Sequence, residues 1–501
     1  HAAAAERARL AVNNGDLSKA HGHLASTAHT VDVVRGHHDH RAAAKLGPTD
    51  VRMARRTADY LWQDFSPQAM LKAAWDTNQG SKPGGDGITR MDLVNMDMAT
   101  RVMWGEIIGN GVLPGGDEAY CALFSGGQAV FLSKPGKPDS KVRVIIPQSM
   151  IARMVGNAII NKHRATLVEQ AGPYQSSFNV KEGGAMVGID LKLHQERSLH
   201  PINAKTDFEA AFPNINRKEM RDTCILKAPG AAGYEDSMYS CSPLVSFCEE
   251  VDGVKQWSSC FVEGGGVQGD LMKPAVFPLL QAEVRAANNA APDKHHSDFM
   301  DDAVFGAQAI KDGEPCFDIV DMFVAANTAA KKWGGRNSPT KAEIFIPAGL
   351  TSEERGMYDL VIAKFEEANG GPVQVLGGDA SEVARQGMVV LGSAQGTPSF
   401  AAEEYSNTFE SKRMIPEVFQ LLTRQQQMLM TSYCERRFNY RTRTDLDVAA
   451  TRRVRDEVDT YLFGATDDNP GITFTGPLAM MPSELSAEQH HQLRARLAVT
   501  S

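Results

Sequence analysis

Two adjacent carboxylates, Asp301 and Asp302, sit inside an otherwise largely apolar run from His296 to Gly306. Burying a carboxylate is costly unless a cation or a base compensates it. A hairpin with the acids at its tip resolves this, because neighbouring side chains splay apart there and one acid faces a site while the other braces it. The bland alternative is an acidic surface turn. A second acid narrows the choice. Pro201-Ile202-Asn203-Ala204-Lys205-Thr206-Asp207-Phe208 reads as a short strand ending in Asp207, with a turn or helix start over Glu209 to Ile215. If the two strands are neighbours, Asp207 and Asp301 meet at their ends. Two carboxylates so placed form a hard-oxygen site for Mg²⁺, and two ions about 3.5–4 Å apart clamp an in-line phosphoryl displacement.

The rest of the chain supplies context. Ala2 to Val12 and Leu17 to Ser26 read as helices, and His37-His38-Asp39-His40 as a solvated loop whose spacing fits no standard metal site. Ser81 to Gly87 is a glycine-dense turn. Ala129-Val130-Phe131-Leu132 and Val142 to Ile146 flank Lys134-Pro135-Gly136-Lys137-Pro138, which predicts a hairpin with lysines at its tip. Helical spacing covers Ile151 to Glu169, about 271 to 287, and Phe317 to Lys332. Glycines in Gly264-Gly265-Gly266-Val267-Gln268-Gly269-Asp270 let the backbone approach a ligand closely; a flexible loop capped by Asp270 is the alternative. Val373 to Gly377 and Met388 to Gly392 look like short strands. The acidic stretch Ala348 to Gly371 reads as an inserted excursion rather than core, and the chain from Glu403 onward as helix.

Composition excludes simpler roles. With 52 basic and 61 acidic residues among 501, the net charge of −9 rules out a protein that works by coating nucleic acid with positive charge. Seven irregularly spaced cysteines without a CxxC pair argue against a disulfide framework or cysteine-rich zinc module and for a reducing, intracellular setting. No apolar stretch approaches the roughly 18 residues that cross a bilayer, so no membrane partner is expected. Arg7, Arg9 and Asn13 to Asp16 interrupt any signal-peptide core, and His1 in place of methionine is what a piece of a longer frame or a processed product would show.

Taken in order, the Asp207 segment, the glycine loop and Phe299-Met300-Asp301-Asp302 resemble motifs A, B and C of reverse transcriptases, and most nearly those of non-LTR (LINE-type) retrotransposons. Lys134 to Lys137 through Arg143-Val144-Ile145 is similar to that family's fingers hairpin. Pro83-Gly84-Gly85-Asp86-Gly87 resembles an upstream fingers signature, and Pro173-Tyr174-Gln175-Ser176-Ser177-Phe178 a motif near template and nucleotide. Pro339-Thr340-Lys341-Ala342-Glu343 is similar to motif D, and Val389-Val390-Leu391-Gly392-Ser393 through Pro398 to the primer grip. The resemblance covers about residues 80 to 445.

It implies an α+β right hand: an N-terminal helical extension over 1–75, fingers over 76–200, and a palm over 201–400 with an antiparallel RRM-like sheet. A fingers insertion would fall at about 215–262, and a helical thumb over 401–501. It further implies catalytic Asp207, Asp301, Asp302 and Lys341, the last as proton donor to pyrophosphate. Asp207, Asp301 and the Phe208 position would hold two Mg²⁺ ions, with Mn²⁺ as a substitute. The nucleotide would meet Lys134, Arg143, Phe208, Ala211, Phe212, Gln268 and Gly269, with Phe212 against the sugar favouring deoxynucleotides. Template and primer would meet Gln175, Phe178, Leu391, Gly392, Arg436 and Arg437. Between Lys412 and Arg455 ten basic residues face four acidic ones with Tyr433, Phe438 and Tyr440 interleaved, which suits a thumb on a phosphate backbone. Met300, and Leu271-Met272-Lys273 after the Gln-Gly-Asp, depart from the LINE pattern. The expected activity is RNA-directed DNA synthesis from a primer 3′-hydroxyl, with RNA template, DNA primer or RNA/DNA hybrid, and dNTP as partners, and a nuclear location for a retrotransposon enzyme. The alternatives are an RNA-directed RNA polymerase and a silent palm-fold nucleic-acid-binding protein.

Overall fold

The computed structural model describes residues 2–13, 20, 61–77, 83–111, 124–133, 142–209, 211–240, 242–251, 254–262, 264–411, 422, 426 and 430. The expectations for Leu17 to Ser26, His37 to His40, Lys134 to Pro138 and the basic stretch after Ser411 lie outside these residues, apart from Ala20, Leu422, Gln426 and Met430. The chain is mixed α+β and divides into two units, one of residues 29–183 and 193–375, the other of residues 1–28, 184–192 and 376–501.

In the larger unit the strands are, in order, β1 (Gly127–Gln128), β2 (Val130–Ser133), β3 (Val142–Ile145), β4 (Pro201–Asp207), β5 (Leu244–Val251), β6 (Val254–Phe261), β7 (His295–Phe299), β8 (Asp302–Gln308), β9 (Ile310–Lys311), β10 (Glu314–Pro315) and β11 (Glu343–Ile346), with β12 (Gln374–Gly377) at its end. Five of them form a sheet in the order β12-β11-β4-β8-β7, in which β4 pairs antiparallel with both β11 and β8, and β8 with β7. Its period-2 face places Ile202, Ala204, Ala303, Phe305, Ile344 and Ile346 in one buried cluster with helices Asp318–Lys332 and Ser352–Asn369.

Helix Ser352–Asn369 corrects the expectation for Ala348 to Gly371. It opens on a Thr351/Glu354 capping box, closes at Gly370 with φ 77°, and buries Tyr358, Val361, Ile362 and Phe365. Phe365 stacks on Phe323 with ring centroids 4.5 Å apart. Those four positions follow helical spacing. The acids at 353, 354, 359, 366 and 367 gave the segment a surface-like composition that hid the stripe.

A second cluster gathers around helices Pro67–Asp76, Met98–Gly109, Met150–Ala171, Pro229–Tyr239 and Lys273–Asn288. The Pro83-Gly87 turn joins it directly: a Cβ on Gly84 would lie 2.6 Å from Ser149 N, and the Ser149 hydroxyl donates to Asp86 Oδ2 at 2.6 Å while capping the helix that follows. β2 and β3 pair antiparallel, as the hairpin expectation requires. The antiparallel pair β5 and β6 was not expected, although Leu244-Val245-Ser246-Phe247 carries the alternation of a half-buried strand.

The smaller unit contains helix Ala2–Asn13, an antiparallel hairpin of β13 (Gly387–Val390) and β14 (Ser393–Gly396), and helix Pro398–Ser411. Among the described residues no helix is long and apolar enough to cross a membrane.

Candidate active site

The last residue of β4, Asp207, pairs with the first residue of β8, Asp302. Directly opposed antiparallel residues have Cα atoms about 4.5–5.5 Å apart. Phe299 of β7 faces Asp302 from the other side, so Met300 and Asp301 form the two-residue turn between β7 and β8. Met300 takes φ 58°, a left-handed conformation unfavourable for a bulky side chain. The Phe208 amide donates to the Asp301 carbonyl at 3.1 Å, and the Ser338 amide to the Asp207 carbonyl at 2.8 Å. The end of β4 is thereby held between the acidic turn and the short 3₁₀ turn Pro339–Lys341, whose Lys341 ammonium forms an ion pair with Asp207.

Positive charge is scarce here. Desolvation first, then the charges of Asp301 and Asp207, push the Asp302 carboxyl up to about 6, with Lys205 and Lys341 offsetting only part. Asp301 is exposed at the rim, yet the protein around it still desolvates the carboxyl enough to raise it. The Asp207 charge adds to that rise, and Lys341 and Arg143 oppose it. Crowded, under-compensated carboxylates with oxygen-only donors suit a hard dication. Among the described residues no set of three His, Cys, Asp or Glu side chains forms a self-contained metal cage. An ion held here would take one or two carboxylates from the protein and its other oxygens from a substrate. The Phe208 ring is buried against Trp333, centroids 5.3 Å apart, so only its carbonyl could serve an ion.

The glycine loop is fastened to both neighbours of this site. The Gly266 amide donates to the Phe212 carbonyl at 2.7 Å, and Gly265, at φ 65°, approaches so closely that a Cβ would lie 1.9 Å from the Pro213 oxygen. On the other side the Ile146 amide donates to the Gln268 carbonyl at 2.8 Å, and a Cβ on Gly269 would meet the Ile146 oxygen at 2.4 Å. Ile146 directly follows β3, the strand that carries the exposed Arg143. Backbone hydrogen bonds thus join the segment after Asp207, the glycine loop and the residue that follows the Arg143 strand. Ala211 is buried, and the partly buried Phe212 meets Phe277 edge-on at 5.5 Å.

Gln175 and Phe178 are both buried. The Gln175 amide accepts from the Phe178 amide and donates to the Phe178 carbonyl, each at 2.9 Å, and its backbone bridges to Asp298, which fixes the turn beside β7. Leu391 and Gly392, at φ 49° and 87°, form the β13–β14 turn of the smaller unit. Lys134, Arg436 and Arg437 lie outside the described residues.

Several supporting residues were not found from sequence. Arg217 donates from Nε to the Gly265 carbonyl at 2.7 Å and from Nη2 to the Val262 carbonyl at 2.8 Å, holding the loop from below. Behind the acidic turn, Asp298 accepts from Arg285 at 2.7 Å and contacts His296 Nε2 at 2.9 Å. Arg285 beside Val284 and Ala286 offered some signal, whereas Arg217 stands in the charged run Arg217-Lys218-Glu219 and offered none.

No family model matches the chain, and no curated protein matches it. Solved structures that match include apo telomerase from Candida tropicalis truncated from the C-terminal domain, at 13% identity and a TM-score of 0.32. The match covers 52% of this chain and 61% of that one, so the chain spans about three-fifths of that structure's length. The likeness is slight, and what the site can do follows from its own residues.

Proposed function

We propose that this chain is a nucleotidyltransferase of the reverse-transcriptase kind, extending a primer 3′-hydroxyl with dNTPs on an RNA template. The observation that carries the reading is the register of β4 against β8, which sets Asp207 beside Asp302 with Asp301 at the turn. Two Mg²⁺ ions, when bound by Asp207, Asp301 and the Phe208 carbonyl, would supply activation of the attacking hydroxyl and neutralisation of the departing pyrophosphate. Arg143, whose charge already reaches Asp301, would take triphosphate oxygens as a fork, with Lys134 as a point charge beside it. Lys341, now on Asp207, would exchange that partner for the leaving phosphate and give up a proton from Nζ. Gln268 and Gly269, at the partly open edge of the loop, would meet the new base pair, and the partly buried Phe212 would meet a 2′-hydroxyl.

Primer extension on a primed RNA template with Mg²⁺ tests the reading. Incorporation of dNTPs is expected, with NTPs poorly used. Efficient NTP use makes the chain an RNA-directed RNA polymerase, and binding without incorporation makes it a silent palm-fold binding protein.

A further inference from the structure

Beneath the glycine loop lies a buried charged cluster that plays no part in the chemistry described above. The side chains of Lys273 and Glu235 are each 1% exposed, and Nζ lies 2.7 Å from Glu235 Oε2 and 3.6 Å from Asp270 Oδ2. The same ammonium stands 3.9 Å from the centre of the Tyr239 ring. The Tyr239 hydroxyl donates to Asp270 Oδ2 at 2.5 Å and accepts from the Val267 amide at 3.1 Å, while Asp270 Oδ1 accepts from the Met272 amide at 2.9 Å. The lysine stem fills the space under Gly266, where a Cβ would lie 2.5 Å from Lys273 Cε. From Glu235 to Val267, charge and hydrogen bonds run without a gap into the loop's backbone.

A buried ion pair is weak evidence for stability, since well-packed apolar side chains serve as well. What this one does that an apolar pair cannot is fix the direction of the Asp270 carboxylate, and through Tyr239 the Val267 amide. The loop's upper edge, at Gln268 and Gly269, is left partly open. We infer that the Lys273–Glu235–Asp270–Tyr239 cluster is a positioning device that presets the Val267–Gly269 segment as a rigid surface for the base pair between incoming nucleotide and template. The inference rests on the polymerase reading for the identity of that ligand.

Three variants of the full chain test it, Lys273→Met, Lys273→Met/Glu235→Gln and Tyr239→Phe, with amide exchange of the loop and steady-state dNTP kinetics as readouts. Lys273→Met should speed exchange at Val267 and Gly269 about tenfold and raise KM for dNTP about tenfold while kcat stays within about threefold. Neutralising Glu235 in the double variant should recover folding stability lost to the unpaired charge, yet leave loop exchange and KM shifted, because Asp270 still lacks its ammonium partner. Tyr239→Phe, which removes one hydroxyl and no charge, carries the test if Lys273→Met does not fold, and should move exchange and KM in the same direction by about threefold or more. Unchanged loop exchange and KM in the folded variants overturn the inference. A parent that never incorporates dNTP overturns the polymerase reading instead, and loop exchange then decides alone whether the cluster holds the loop.

Discussion

Asp298 and Asp301 lie three residues apart on one hairpin and are treated in opposite ways. Burial works to raise Asp298, but His296 and Arg285 outweigh it and hold the carboxyl below its ordinary range. Arg285 is itself fixed by the Ala171 and Pro278 carbonyls. At the turn, Asp301 and Asp302 have no such partners among the described residues and are both raised. One hairpin therefore carries in its first strand an acid whose charge is satisfied by the fold, and at its turn acids whose charge is left wanting. The first kind anchors; the second kind invites a cation from outside.

The largest expected effect lies at the turn. Asp301→Asn should lower primer extension by at least about 10³-fold, the scale of losing an electrostatic contact to a reacting centre. Template binding by filter retention should stay within about threefold and thermal stability should not fall, because a strained charge is removed. Extension at the parent's rate would end the assignment. The anchor should answer in the other currency: Arg285→Met leaves Asp298 buried without its guanidinium and should cost about 3–5 kcal/mol of stability in urea unfolding. A variant as stable as the parent would erase the contrast.

Acid and base titrations sharpen it. Asp302 has its carboxyl raised in the folded state, so its contribution to stability is complete below about 4 and is lost as pH rises through about 6. Asp298 is lowered, so its contribution is present above about 4 and is lost as pH falls through its folded value. In Mg²⁺-free buffer the parent should lose about 1–3 kcal/mol between pH 4 and 6 relative to Asp302→Asn, measured by denaturant midpoints at each pH. Identical slopes would show that Asp302 is not under strain.

The acids of the site were legible in sequence because each closes an apolar, β-branched or alternating run: Asp207 after Ile202 to Thr206, Asp301 after Phe299 and Met300. Their partners across the molecule were not. Lys273 meets Glu235 from 38 positions away and Arg285 meets Asp298 from 13, and no local pattern records a pairing made by the tertiary fold. The turn closed by the Gln175 amide on Phe178 was hidden in the same way, because only the fold shows that bond. In helix Ser352–Asn369 the signal was present, but the acidic face outweighed four apolar positions.

Lys341 gives the smallest stability effect and the cleanest separation of the two roles. Its side chain is 59% exposed while that of its partner Asp207 is 16% exposed. An ion pair with one end in water contributes under about 1 kcal/mol, because solvent screens it and a long side chain must be immobilised. Lys341→Met should therefore shift the unfolding midpoint only slightly. Were the lysine merely neutralising Asp207, its loss would leave extension close to the parent's. As the donor of a proton to the leaving group it should cost roughly 10²-fold in kcat, the lower end of general acid contributions. A Met variant that keeps its rate would leave Lys341 as a counter-ion only, and would move the search for the proton donor to another residue facing the acidic turn.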